Sequence, residues 1–240
     1  MTWKLNSFNL QPMKSPETGS TGEVKSTPQV IPIFPLPDVV FFPETFLPLH
    51  IFEPRYRQMV QDCLEGRPFI GMALLREGWE SNYYGNPPVF PLGCVGEIIH
   101  SEKLPDGRYN IVLRGLKKYE IVEELLHRSY RQALVRFLDP PEEEAGVPEA
   151  VQNELEVLMR RYSKLVDQEI AVDNLLSMGL GFTSLLNTLS SLLPLTPGEK
   201  YFLLESENPS QQCGRLLDLL RFNILTLQSG RSTGGPPIVH

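Results

Sequence analysis

The sequence predicts an α+β protein: a small, closed or partly closed β-barrel with one helix inserted among its strands, followed by a C-terminal α-helical bundle. Three observations carry this. Residues 30–57, VIPIFPLPDVVFFPETFLPLHIFEPRYR, place six prolines among short apolar runs. Pro105-Asp106-Gly107 separates two alternating segments. After Asp139-Pro140-Pro141 the apolar period changes from that of a strand to that of a helix.

Residues 1–29 are polar and poor in aliphatics, so a disordered leader is expected there. From Val30 onward each proline removes a donor and pushes its predecessor toward extended geometry, which excludes a helix. The runs VIPIF, VVFF and FLPLHIF are rich in β-branched and aromatic residues and read as extended, largely buried chain. Pro54 to Leu64 is read as a helix with Tyr56, Met59, Val60 and Leu64 on its apolar face, ended by Glu65-Gly66. Phe69 to Leu75 is read as a buried strand. Arg76 to Leu92 is irregular, with three prolines, two glycines and the rings of Trp79, Tyr83 and Tyr84 between them. Residues 95–104 and 108–113 form a hairpin around Pro105-Asp106-Gly107. Lys117 to Glu124 sets Tyr119 and Ile121 on one face, and Gln132 to Leu138 does the same with Ala133, Val135 and Phe137. Seven or so short strands and one helix, over 30–139, suggest the barrel.

Residues 140–147 hold Glu142-Glu143-Glu144 and are read as an acidic linker. A bundle follows over 148–228. Its first helix carries the stripe Val151, Leu155, Leu158, Tyr162, Leu165 and Val166. A second runs from Leu175 to Leu193, with Gly179 and Gly181 as weak points. Thr196-Pro197-Gly198-Glu199 has the form of a capping box, and Asn208-Pro209-Ser210-Gln211 repeats its logic. The last helix presents Leu216, Leu217, Leu220, Ile224 and Leu227. Residues 229–240, rich in Gly and Pro, read as a flexible tail.

The formal charge is −7. Most of the net negative charge lies beyond residue 139, which argues against the broad basic surface that nucleic-acid binding needs. Arg108, Arg114, Lys117 and Lys118 form the one basic cluster, read as a solvated face. No apolar run is long enough to span a bilayer, so no membrane partner is expected. Cys63, Cys94 and Cys213 lie far apart without a C-x-x-C, as suits reduced, buried thiols and a cytoplasmic setting, with an organelle matrix or stroma as the alternative. P-loop, G-x-S-x-G and H-E-x-x-H patterns are absent. His50 with Glu53, and His100 with Glu97 and Glu102, have the residue types of metal ligands, but His50 alternates with Leu49 and Ile51 as the polar face of a strand. Neither a metal nor a cofactor is expected.

The opening segment resembles the start of the N-terminal, substrate-binding domain of Lon proteases. That family begins P-x-x-P-L-x-D-V-V-x-F-P, then P-L-x-I-x-E-x-R-Y. Here these are Pro32, Pro35, Leu36, Asp38, Val39, Val40, Phe42 and Pro43, then Pro48, Leu49, Ile51, Glu53, Arg55 and Tyr56. Val95-Gly96-Glu97-Ile98, Leu104 to Arg108, Arg114-Gly115 and the run Glu199-Lys200-Tyr201-Phe202-Leu203-Leu204-Glu205 extend the likeness over roughly 30–228.

The resemblance implies a PUA-like barrel and a non-enzymatic module that binds exposed segments of other polypeptides or acts as an adaptor in protein quality control. A protease or chaperone would be its partner, and the Lon-type ATPase and Ser-Lys peptidase modules are not expected. The alternatives are an RNA-binding PUA-like protein and a structural or homo-oligomerising one. Phe41, Phe42, Phe46, Trp79, Tyr83 and Tyr84 are the expected contact surface, since aromatic rings offer large contact area at low entropy cost. Glu53, Arg55 and Arg57 are candidate polar anchors for a bound peptide, weighed against an ion pair that fixes the strand-to-helix turn.

Overall fold

The computed structural model describes residues 28–82, 85–139, 146–166 and 172–232. Nearly all of the expected leader, most of the acidic linker, the end of the tail, Tyr83 and Tyr84 lie outside the described residues.

Six strands form one mixed sheet: β1 (Gln29–Leu36), β2 (Phe46–Ile51), β3 (Phe69–Leu75), β4 (Val89–Lys103), β5 (Tyr109–Leu125) and β6 (Gln132–Leu138). Their order is β2-β5-β4-β3-β1-β6, and β6 pairs again with β5, so the pairings return on themselves through five strands and leave β2 as an appendage of β5. Only β1 and β3 run parallel; the other pairs are antiparallel. The long strand β5 serves both roles, its first half pairing with β2 and its second half with β6.

Three sequence expectations change here. The run Val39–Phe42 is not a strand. Its apolar character reflects burial of a loop, because a short buried run has the same composition whether or not it pairs. The segments 108–113 and 117–124 are one continuous strand across Arg114-Gly115. The hairpin turn stands as expected: Gly107 has φ 83 and its amide donates to the Leu104 carbonyl at 2.9 Å. Helix α1 (Pro54–Glu65) buries Tyr56, Met59 and Val60 as expected, but Cys63 rather than Leu64 completes the face; Leu64 is exposed.

The helical part comprises α2 (Glu149–Ser163), α3 (Val172–Ser177), α4 (Phe182–Leu192), α5 (Pro197–Leu204) and α6 (Pro209–Ser232). The expected helix over 175–193 is broken in two, with Gly179 in the left-handed region at φ 64. The capping box at Thr196 is formed in both directions. At α6, Asn208 Oδ1 accepts from the Gln211 amide at 2.8 Å, while Gln211 reaches back to the Glu207 amide rather than to Asn208.

The change from strand to helix is not a division of the core. One buried cluster joins Val40, Phe42 and Leu74 to Leu155, Met159, Leu186, Leu193, Tyr201, Leu203 and Leu216. A second, inside the sheet against α1, holds Phe41, Tyr56, Met59, Val60, Ile70 and Leu113. Polar contacts cross the same seam: the Leu92 amide donates to Tyr201 Oη at 3.2 Å, and Lys118 Nζ donates to the Ser206 carbonyl at 2.6 Å.

Phe42→Ala is expected to cost about 3–5 kcal/mol by leaving a cavity in the shared cluster. Urea unfolding followed by far-UV circular dichroism and by tryptophan fluorescence should then show one coincident transition at a lower midpoint. Two separated transitions would mean that sheet and helices do not share a core.

Candidate functional site

Strand β2 lies at the end of the sheet order and, among the described residues, pairs on one side only, with β5. Register builds a three-strand outward face from it, because directly opposed residues project to the same side. Phe46 stands beside Arg114, which stands beside Glu97; Pro48, Val112 and His100 form the next row; His50, Asn110 and Glu102 the third. The polar members are tied together. Arg114 bonds Glu97 at 2.6 Å, Asn110 Nδ2 donates to Glu102 at 3.0 Å, and His50 Nδ1 lies 2.8 Å from Asn110 Oδ1. Arg108 lies 3.1 Å from His50 Nε2 and pairs with Asp106 at 2.6 Å. Two aromatic rings border this network, Phe46 at 61% exposure and Phe52 at 60%. Both rings stand beside the edge of β2 that no strand pairs among the described residues.

The expected contact residues are not brought together. Phe41 and Phe42 are 3% and 0% exposed and belong to the two different cores, so neither can touch a partner. Alternation in a buried loop sent them inward, and their type alone could not show that. Among the described members Phe46 is the one that is exposed. Trp79 begins a single 3-10 turn and packs half-buried against Ala73, Leu75 and Val89. Among the polar anchors, Arg55 Nε bonds Glu53 at 3.0 Å, both partly buried, at the N-terminus of α1. Arg57 lies close over the β4–β5 turn, where a Cβ on Gly107 would come within 2.2 Å of its guanidinium. Arg57 thus reaches from α1 to the hairpin, while the Glu53–Arg55 pair stays at the start of the helix.

Sequence reasoning missed Phe52, which the alternation of FLPLHIF places on the outward face. It also missed Arg131, buried at 5% exposure, which pairs with Glu124 and donates to the Pro87 carbonyl at 2.8 Å, pinning the irregular loop. The basic cluster is consumed within the fold: Arg108, Arg114 and Lys117 each pair with a carboxylate, and Lys118 is largely buried on the Ser206 carbonyl. Among the described residues, no group of three or more His, Cys, Asp or Glu side chains is placed to hold a metal, and no helix is long and apolar enough to cross a membrane. A cleft of about 130 Å³ opens between α2, α3 and α4, lined by Leu155, Met159, Leu176, Phe182 and Leu185. It is smaller than ordinary ligand sites, which run to about 300–1,000 Å³.

Residues 30–221 match the family model described as the ATP-dependent protease La (LON) substrate-binding domain. The chain belongs to that family. Similar curated proteins are a Lon protease of Dictyoglomus thermophilum, 27% identical over 86% of this chain and 22% of its own length, and one of Cytophaga hutchinsonii, 25% identical over 93% and 28%. The chain thus spans about a quarter of the length of these relatives. In fold it is similar to a Lon N-terminal domain protein from Xanthomonas campestris, with a TM-score of 0.59, 22% identity and coverage of 79% of this chain and 98% of that one. The N-terminal domain of Lon protease from the Mycobacterium avium complex is similar too, with a TM-score of 0.62 at 16% identity.

This Lon substrate-binding domain buries all three of its cysteines as free thiols. Burial pushes Cys63 up to about 12 and Cys213 to about 11, and raises Cys94 as well. None is the activated thiolate that a nucleophile requires. Burial likewise raises Tyr119, Tyr130, Tyr162 and Tyr201. A thiol whose folded value lies above its unfolded one contributes stability that is complete below 9.0, its ordinary value, and is lost as pH climbs toward the folded value. Lys118 and Lys200, both lowered by burial, act in the opposite sense over a nearby range. Seven raised groups outweigh two lowered ones. The urea midpoint is therefore expected to fall above about pH 9, by up to about 1.4 kcal/mol per pH unit for each thiol. Cys63→Ala should make that fall shallower; an unchanged slope would show that its thiol ionises freely in the folded state.

Proposed function

We propose that this chain is a non-catalytic polypeptide-binding module that recognises exposed segments of client proteins, or acts as an adaptor in protein quality control with a protease or chaperone as partner. The observation that carries the reading is the match of residues 30–221 to a substrate-binding family. The face around β2 supports it physically. Phe46 and Phe52 are exposed where an apolar segment can cover them, while the neighbouring charges are already paired and demand no charged ligand. The pairing of Arg108, Arg114 and Lys117 speaks against the RNA-binding alternative, which needs free cations converging on phosphates. A cytoplasmic setting accords with three unpaired thiols.

A second reading, self-association, rests on Val157 of α2 and Phe222 and Leu225 of α6, exposed by 63%, 65% and 63%. The Arg221–Glu154 pair and the Arg161–Gln228 bond bracket these residues on one side of the bundle. Light scattering over a range of concentrations checks it; a strict monomer would exclude it.

For the main reading, a fluorescently labelled, reduced and alkylated polypeptide that cannot fold should raise its anisotropy on titration with this protein, and the same polypeptide in native form should not. Phe46→Ala should weaken binding about tenfold with the urea midpoint essentially unchanged. Equal affinity for the native and unfolded forms, or none for either, would contradict polypeptide recognition.

A further inference from the structure

The main-chain geometry of β2 identifies how a bound segment would be held. The Gly115 amide donates to the Thr45 carbonyl at 2.9 Å, and the Gly115 carbonyl accepts from the Glu44 amide at 2.9 Å. Both peptide groups of Gly115 therefore turn toward β2. Alternation along β5 turns Leu113, Ile111 and Tyr109 the same way. By register their partners are Leu47, Leu49 and Ile51. The intervening residues Phe46, Pro48 and His50 turn their peptide groups to the other side, where no strand pairs among the described residues. By register that open edge offers the carbonyls of Phe46, Pro48 and His50 and the amides of Phe46 and His50, and no strand among the described residues pairs along it.

Proteins usually guard such an edge with charge, a bulge or a covering element. β2 carries no charged residue, and Pro48 is its one protection. Pro48 also discriminates between occupants. Two copies pairing antiparallel about the strand centre would set Pro48 against Pro48, leaving both central carbonyls without a donor. A different polypeptide supplies an amide at that position. The charges bordering the strand, Arg114, Arg108 and Arg55, are each paired with a carboxylate of the same chain, so an uncharged occupant meets no unpaired ion. Phe46 and Phe52 flank the two ends of the edge, where they would cover the side chains of an extended segment.

We propose that β2 binds an extended, uncharged polypeptide segment by strand addition at the Phe46–Pro48–His50 edge. This rests on the polypeptide-binding reading above and names its mode. The main chain supplies the affinity and alternate side chains the selectivity.

The test uses the full chain and an uncharged, labelled peptide of about ten residues alternating valine and serine, in two N-methylated forms carrying methyl groups on one or the other alternate set of amides. In strand addition only one set faces the protein. One form should bind about tenfold or more weakly than the parent and the other nearly as well as the parent. The variant H50P, which removes an open-edge donor, should bind the parent peptide about tenfold more weakly than H50A, which keeps it. Equal affinities for both methylated forms would overturn strand addition even if H50P fails to fold. A concentration-dependent dimer that excludes the peptide and dissociates in H50P would also overturn it, by placing a second copy on the edge. If the unfolded polypeptide binds but neither methylation pattern matters, strand addition alone falls; if nothing unfolded binds, the broader reading falls with it.

Discussion

Two adjacent side chains, Phe41 and Phe42, hold the molecule together by pointing into different cores. Phe41 enters the sheet interior beside α1, and Phe42, with no exposed surface, enters the cluster shared with the helices. The loop that carries them is fixed from both sides. Thr45 Oγ1 donates to the Phe42 carbonyl at 2.7 Å, and that carbonyl lies so near Gly115 that a Cβ there would come within 2.1 Å of it. Only glycine permits this approach. Glu44, at φ 60, then reverses the chain and reaches Ser184 of α4 with its carboxylate. Sheet, helices and the entry to β2 thus meet at one loop.

The open edge of β2 is a consequence of that loop. Since Gly115 takes both of its bonds from Glu44 and Thr45, the phase of every later peptide group in β2 is set before the strand begins. A shift of one residue would turn Leu47, Leu49 and Ile51 away from the core and place the proline where a pairing donor is needed. The proline-rich segment and the proposed binding edge therefore lie in one stretch of chain, with the segment determining which backbone groups remain unpaired.

Much of this was legible in the sequence where local chemistry and tertiary context agree. The prolines of 30–57, the Pro105-Asp106-Gly107 turn and the Thr196–Glu199 box each specify a backbone geometry by themselves; the turn and the box formed as read, and 30–57 did so except for the unpaired run Val39–Phe42. The period of α1 is legible as well, with Cys63, seven positions after Tyr56, completing the buried face in place of Leu64. The site was less legible. Phe41, Phe42 and Phe46 are identical in type and lie within six positions, yet two are core and one is surface. Composition carries no record of which way a loop turns. The open edge of β2 was invisible for a similar reason: pairing partners come from residues sixty positions away, and only the fold shows which side of a strand has none.

Amide hydrogen exchange, resolved to single residues and compared with and without a bound unfolded polypeptide, reads the open edge directly. New protection at the amides of Phe46 and His50, with Leu47, Leu49 and Ile51 already protected in the free protein, is the expected result. Protection that appears only in α2 to α4, with Phe46 and His50 exchanging as fast as before, would contradict binding at β2.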